Sequence, residues 1–244
     1  KNLGSEVGRM LKDARAQSFV ENFAGQWLEL RNLDVYQPDK KLFPTFTPAL
    51  RNDMRQETEL LFAHVMRGNR SVLELLSADY SFVNARLAAH YGIPDVQGEK
   101  FRSVSLRGTS RGGILGHASI LTITSDPNRT SPVKRGKYVL ENILGTPPPE
   151  PPPDVPPLSE SGEITGTLRE QFVKHRQDPT CASCHKVMDP IGFAFENYDA
   201  IGRYRTKDNG IPIDASGKLE TGEPFKNATD LRRILLNRKR EYFA

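Results

Sequence analysis

The sequence predicts a mainly α protein with little β structure. Apolar residues recur at three- and four-residue steps over long stretches, as they do on the buried face of a helix. The clearest sets are Val7, Met10, Leu11, Phe19, Val20, Phe23, Trp27 and Leu30 within residues 5–33, and Leu50, Met54, Leu60, Leu61 and Val65 within residues 49–67. The alternation typical of a strand is confined to one short run, residues 101–106.

The other elements follow from local start and stop signals. A helix that reaches His90 is stopped by the residues Gly92, Ile93 and Pro94. Ser131 as N-cap and Pro132 at the first position predict a helix over residues 132–144. Further helices are predicted over 164–177 and 227–243. The turn-rich segment 207–226 is predicted to form a small hairpin or an irregular loop.

This pattern predicts two modules. Residues 1–106 form a helical module, and residues 107–244 form a second module with short helices, long loops and little β structure. The proline-rich connector 146–158 belongs to the second module and is predicted to adopt polyproline II. No apolar run approaches the ~20 residues of a membrane span, and no signal peptide is recognisable. We therefore interpret the chain as a mature or trimmed piece of a longer protein of unknown oligomeric state.

The charge distribution bears on the class of partner. The chain has 34 Lys and Arg against 30 Asp and Glu, a formal net charge of +4. The two signs are interspersed without a long basic run, so the sequence gives little support for a nucleic-acid partner. A mildly basic face is compatible with an anionic redox partner.

The chemistry is expected from one motif. The two cysteines of the chain are Cys181 and Cys184, and His185 follows directly, which is the C-x-x-C-H pattern of c-type haem attachment. Two thiols one helical turn apart can each bond a vinyl group on one porphyrin edge. The adjacent histidine can then reach the iron from one face, so one covalent haem c is expected.

Two other chemistries use similar residues. A thioredoxin-like dithiol expects a strand before the cysteines and no fixed histidine, whereas a polar helix and the pair Asp178–Pro179 precede them here. A structural zinc site usually takes four ligands from two separated pairs, and the chain has no second cysteine pair. The motif therefore favours haem.

The chain also resembles the planctomycete-type cytochrome c-like proteins, which are large secreted multidomain chains. The resembling segments are NFAGQWL (22–28), AAHYGIP (88–94), RGGIL (111–115), TSDPNRTSPVKRGK (124–137) and residues 181–203. The resemblance implies a haem c module behind a helical module of unknown function, located in the periplasm or elsewhere outside the cytoplasm. It does not imply a known reaction.

The second axial ligand is left open. Met188 shares a helix face with His185, so we predict that it packs against the proximal side of the haem. His90, at a helix end within a resembling segment, is the favoured distal ligand. His117, close to Gly112, Gly113 and Gly116, is the next candidate, and an open site is the alternative. Arg129 and Arg203 are candidates to bind haem propionates.

Two functions compete on these grounds. The favoured one is a c-type cytochrome that transfers electrons to other redox proteins or to other modules of its own polypeptide, and so is not an enzyme. The alternative is a peroxidase-like haem enzyme with an open distal site. The single C-x-x-C-H motif counts against it, because bacterial peroxidases of this kind use two haems. A third possibility is an interaction module of a larger secreted redox protein.

Overall fold

The computed structural model describes residues 2–149, 169–170, 179–238 and 243, with the backbone alone for residues 179–181 and 183. Among these described residues helices dominate and strands occur only in short two-stranded ladders, so the mainly α prediction is confirmed. Most of the predicted helix 164–177 and most of the proline-rich connector lie outside the described residues.

The N-terminal region is a chain of short helical segments. They are α1 (Leu3–Lys12), α2 (Ala16–Phe19), a π-helical turn (Val20–Ala24), α3 (Gly25–Trp27) and α4 (Asn32–Val35). The prediction of one continuous helix over residues 5–33 is therefore wrong. Asp13 is the physical reason: it takes an extended conformation, and its carboxylate accepts a hydrogen bond from the backbone N–H of Arg15, which competes with helix continuation.

The long helix α5 (Pro48–Arg67) is the centre of the first half. Thr47 caps it by accepting a hydrogen bond from the backbone N–H of Leu50 at 3.1 Å, and Pro48 takes the first helical position. The elements α6 (Glu74–Ser77), β1 (Tyr80–Val83), α7 (Ala85–Tyr91) and, from the second half, α8 (Ala118–Ile123) pack around it.

The strand β1 was not expected, because a helix up to His90 was predicted there. It pairs antiparallel with β2 (Arg102–Ser105), with Tyr80 opposite Ser105 and Val83 opposite Arg102. The predicted strand at 101–106 is thus confirmed, and its partner was missed. The side chain of Asn84 accepts a hydrogen bond from the backbone N–H of Leu87 and so starts α7 only after the strand.

The second half continues with a short 3₁₀ turn (Ile114–Gly116), α8 and α9 (Pro132–Tyr138), which runs on as a π-helical turn (Val139–Ile143). Then follow α10 (Pro179–Phe193) and α11 (Ala228–Arg238). Between the last two helices lie two small antiparallel ladders, β3 (Lys207–Asp208) with β4 (Ile211–Pro212) and β5 (Gly217–Lys218) with β6 (Pro224–Phe225), where a hairpin or loop was predicted.

The main hydrophobic core draws on both halves of the chain. It includes Leu61 from α5, Leu121 from α8 and Leu231 from α11, all at most 2% exposed. A smaller cluster lies between α5 and α7 around Met54 and Leu87. The predicted module boundary at 106/107 stays a prediction.

Candidate functional site

The C-x-x-C-H motif lies on the first two turns of α10. Two residues of this helix separate Cys181 from Cys184, and His185 follows on the second turn. Cys184 is half-buried against the main core, and its thiol donates towards the carbonyl oxygen of Pro149 at 3.7 Å. The helical backbone thus confirms the local geometry that we assumed for the motif.

His185 is held by a carboxylate on its own helix. Its Nδ1 lies 2.9 Å from Oδ1 of Asp189, four residues later, where helix geometry places both side chains on one face. Asp189 is fully buried, whereas the imidazole keeps 14% of its surface. When Nδ1–H donates to this carboxylate, Nε2 carries the lone pair that an iron ligand needs.

The helix α10 is fixed by an unusually close crossing with α9. A Cβ atom added to Gly192 would overlap the backbone carbonyl of Pro132, and one added to Gly136 would overlap that of Met188. The two glycines therefore let the backbones of the helices touch. Met188 itself is buried in the main core.

Arg135 of α9 binds the backbone of the segment that follows α10. Its buried guanidinium donates to the carbonyl oxygens of Phe195 (2.7 Å), Tyr198 (2.8 Å) and Asp199 (2.8 Å). It also lies 3.4 Å from the carboxylate of Glu196, whose pKa burial raises. One side chain thus satisfies three backbone hydrogen-bond acceptors in the segment 195–199.

The donor set on α10 fits a c-type haem. Two thiols at this helical spacing suit two thioether bonds, and the oriented imidazole suits one axial position. Within the part of the chain whose side chains are described, no group of three or more His, Cys, Asp or Glu side chains is arranged to hold a metal ion directly.

The other predicted site residues lie apart from this motif. The imidazole of His90 is mostly buried, and its Nε2 donates to the carbonyl of Ile201 at 2.8 Å; burial lowers its pKa to about 4. Arg129 pairs with Asp126 at 3.3 Å, and the side chain of Arg203 is exposed. No contact among the described residues joins these three side chains to His185, and their predicted roles remain predictions.

His117, which is 1% exposed, belongs to a different and largely buried polar cluster. Its Nδ1 lies 2.9 Å from Oγ1 of Thr58, and its Nε2 lies 3.4 Å from Oγ of Ser81. Burial is the main cause that lowers its pKa to about 3, and the positive charge of Arg111 adds to it. The imidazole is therefore neutral in the folded protein.

Glu57 completes this cluster, which we call the buried polar cluster: Glu57, Thr58, Ser81, Tyr91, His117 and Ser119. The hydroxyls of Ser81 and Tyr91 both donate to the carboxylate of Glu57. The phenol oxygen of Tyr91 in turn accepts from the backbone N–H of Ala118 at 2.8 Å. Burial raises the pKa of Glu57 to about 7, against two stabilising hydrogen bonds and the charge of Arg111.

Sequence reasoning named His117 but missed Glu57. A signal for Glu57 existed, because it follows Met54 by three residues and precedes Leu61 by four on α5, and so lies on the apolar face of that helix. A carboxylate on such a face needs buried donors.

Two protein-family models match the chain. Residues 1–93 match PSD4 (DUF1592), and residues 111–208, which include the C-x-x-C-H motif, match PSCyt3 (DUF1588); both are described as proteins of unknown function. They are domains associated with planctomycete-type cytochrome c-like multidomain proteins, and neither is a haem-binding cytochrome c model. No curated protein and no solved structure matches the chain.

None of the described helices combines the length and the apolar character that a membrane span requires.

Proposed function

We propose that this chain is a c-type cytochrome that carries one covalent haem on Cys181, Cys184 and His185 and transfers electrons outside the cytoplasm. The observation that carries the proposal is the pair formed by His185 and Asp189, since it orients an imidazole directly behind two helically spaced cysteines. The family matches support the same class, because both domains are associated with cytochrome c-like proteins.

Several elements of the chain have a role in this proposal. The thiols of Cys181 and Cys184 would hold the haem, and Nε2 of His185 would bind its iron. A bound haem supplies one-electron oxidation and reduction at iron. The close crossing of α9 and α10 and the buried Arg135 keep the motif helix and the segment after it rigid, which limits the reorganisation that electron transfer requires.

The test is covalent haem attachment. The chain is exported to the bacterial periplasm together with the haem-maturation machinery, and denaturing gels are stained for haem. We expect a stained band for the wild type and for Ser183→Ala, and none for the double variant Cys181→Ser/Cys184→Ser. A wild-type chain that is folded but unstained refutes the proposal and leaves the cysteines to thiol or zinc chemistry.

The second axial position is resolved by absorption spectra with and without carbon monoxide. If His90 ligates iron, the wild-type spectrum is insensitive to carbon monoxide and the variant His90→Ala binds it. Since Nε2 of His90 donates to Ile201, ligation would have to use Nδ1 or break that hydrogen bond. If the wild-type protein readily binds carbon monoxide, the second coordination position of the iron is open, which favours the peroxidase-like alternative.

A further inference from the structure

The side chain behind His185 is a carboxylate rather than a backbone carbonyl. A backbone carbonyl oxygen often serves as the acceptor of Nδ1–H, but here Oδ1 of Asp189 takes that place at 2.9 Å. The side chain of Asp189 has no exposed surface, so water does not screen its charge as it would on the surface. The imidazole therefore faces a buried carboxyl group at hydrogen-bond distance.

The surroundings of Asp189 are rigid. It directly follows Met188, whose backbone lies in contact with Gly136 of α9, and it precedes Pro190, which has a fixed φ angle. A side chain on such a backbone cannot easily turn away from its partner. The contact between His185 and Asp189 is thus built into the crossing of the two helices.

We propose that Asp189 is a positioning residue that sets a low reduction potential for the haem on His185, an inference that rests on the proposed function. A carboxylate that accepts the Nδ1 proton makes the imidazole a stronger electron donor. A stronger donor stabilises the ferric over the ferrous state, since ferric iron carries one more positive charge. This chain then acts as an electron donor towards partners of higher potential.

The experiment compares the reduction potentials of the periplasmic haem protein and of the variant Asp189→Asn. Asparagine keeps an acceptor oxygen at the same place and removes the charge. We expect covalent haem at wild-type yield and an equilibrium constant for reduction at least tenfold larger, which is an increase of 59 mV for one electron. Glu196→Gln is the matched control, because it removes another buried carboxylate that contacts Arg135 rather than His185.

The outcomes separate the two proposals. Wild-type protein without covalent haem refutes the proposed function itself. The role of Asp189 is overturned if the wild type and Asp189→Asn both carry haem and have equal reduction potentials. It is also overturned if Glu196→Gln raises the potential as much as Asp189→Asn does. Either result leaves the cytochrome proposal standing. If Asp189→Asn does not fold, Asp189→Ser removes the same charge with a smaller side chain. The same rise in potential is then expected, and an unchanged potential again overturns the inference.

Discussion

Oε1 of Glu57 and Nε2 of His117 lie 3.8 Å apart, and both side chains are at most 1% exposed. Glu57 belongs to the range matched by one family model and His117 to the range matched by the other. The buried polar cluster therefore joins the two ranges by hydrogen bonds inside the core. Because the pKa values of the two groups shift in opposite directions, their effects on stability have opposite dependence on pH.

Glu57→Gln should change the pH dependence of stability between about pH 4.5 and pH 7. The folded state raises the pKa of Glu57 from 4.5 to about 7, so its contribution is fully present below pH 4.5 and is lost as the pH rises through 7. Between these values the wild type should lose about 1.4 kcal/mol per pH unit relative to the variant. Urea unfolding at several pH values measures this difference.

The control for that experiment is Glu99→Gln, which changes a carboxylate whose side chain is 94% exposed. Its stability curve should run parallel to that of the wild type. Parallel curves for Glu57→Gln as well would contradict the raised pKa of Glu57.

His117→Gln should act on the acid side. The folded state lowers the pKa of His117 from 6.5 to about 3, so its contribution is complete above pH 6.5 and is lost as the pH falls towards 3. The unfolded chain binds one proton more than the folded chain in this window. The free energy of unfolding of the wild type therefore falls by about 1.4 kcal/mol for each unit by which the pH is lowered. The variant should show a shallower acid slope in urea unfolding, whereas His64→Gln, on an exposed position, should keep the slope of the wild type.

The helices were predictable where a single local signal determines them. Ser131 with Pro132 is an N-terminal signal that acts within four residues, and α9 begins where this signal predicts. The strand β1 was missed because its alternating residues, from Tyr80 to Val83, become a strand only by pairing with β2 some twenty residues later. Local propensity does not contain that partner.

The candidate site also combines features set by local sequence with features that depend on distant residues. The C-x-x-C-H motif is local, and its placement on a helix followed from spacing alone. The contacts of Arg135 with residues 195–199 and of His117 with Thr58 join positions about 60 residues apart, which no periodicity reveals. His90 was selected for its place at a helix end, whereas its observed partner, Ile201, lies 111 residues away.

Replacing Arg135 by Met should destabilise the protein strongly. The change removes the donors for three backbone carbonyls after α10 and leaves the buried Glu196 with Arg205 at 3.5 Å as its remaining cation. Breaking a buried ion pair on one side costs about 3–5 kcal/mol. Chemical denaturation measures this loss. Arg129→Met removes a partly exposed pair with Asp126 and should cost less than about 1 kcal/mol, and similar losses in both variants would refute this role of Arg135.

Gly192→Ala should disrupt the crossing of α9 and α10. The added methyl group meets the backbone of Pro132, which cannot rotate away as a side chain could, so the helices must separate. Overpacking of this kind costs about 1–3 kcal/mol or more, and it should displace the helix that carries Cys184 and His185. We expect lower stability in urea together with a lower yield of covalent haem.

Gly25→Ala is the matched control, because that buried helical glycine has open space at its Cβ position and alanine favours a helix there. Wild-type stability and haem yield in Gly192→Ala would show that the two helices do not depend on this contact.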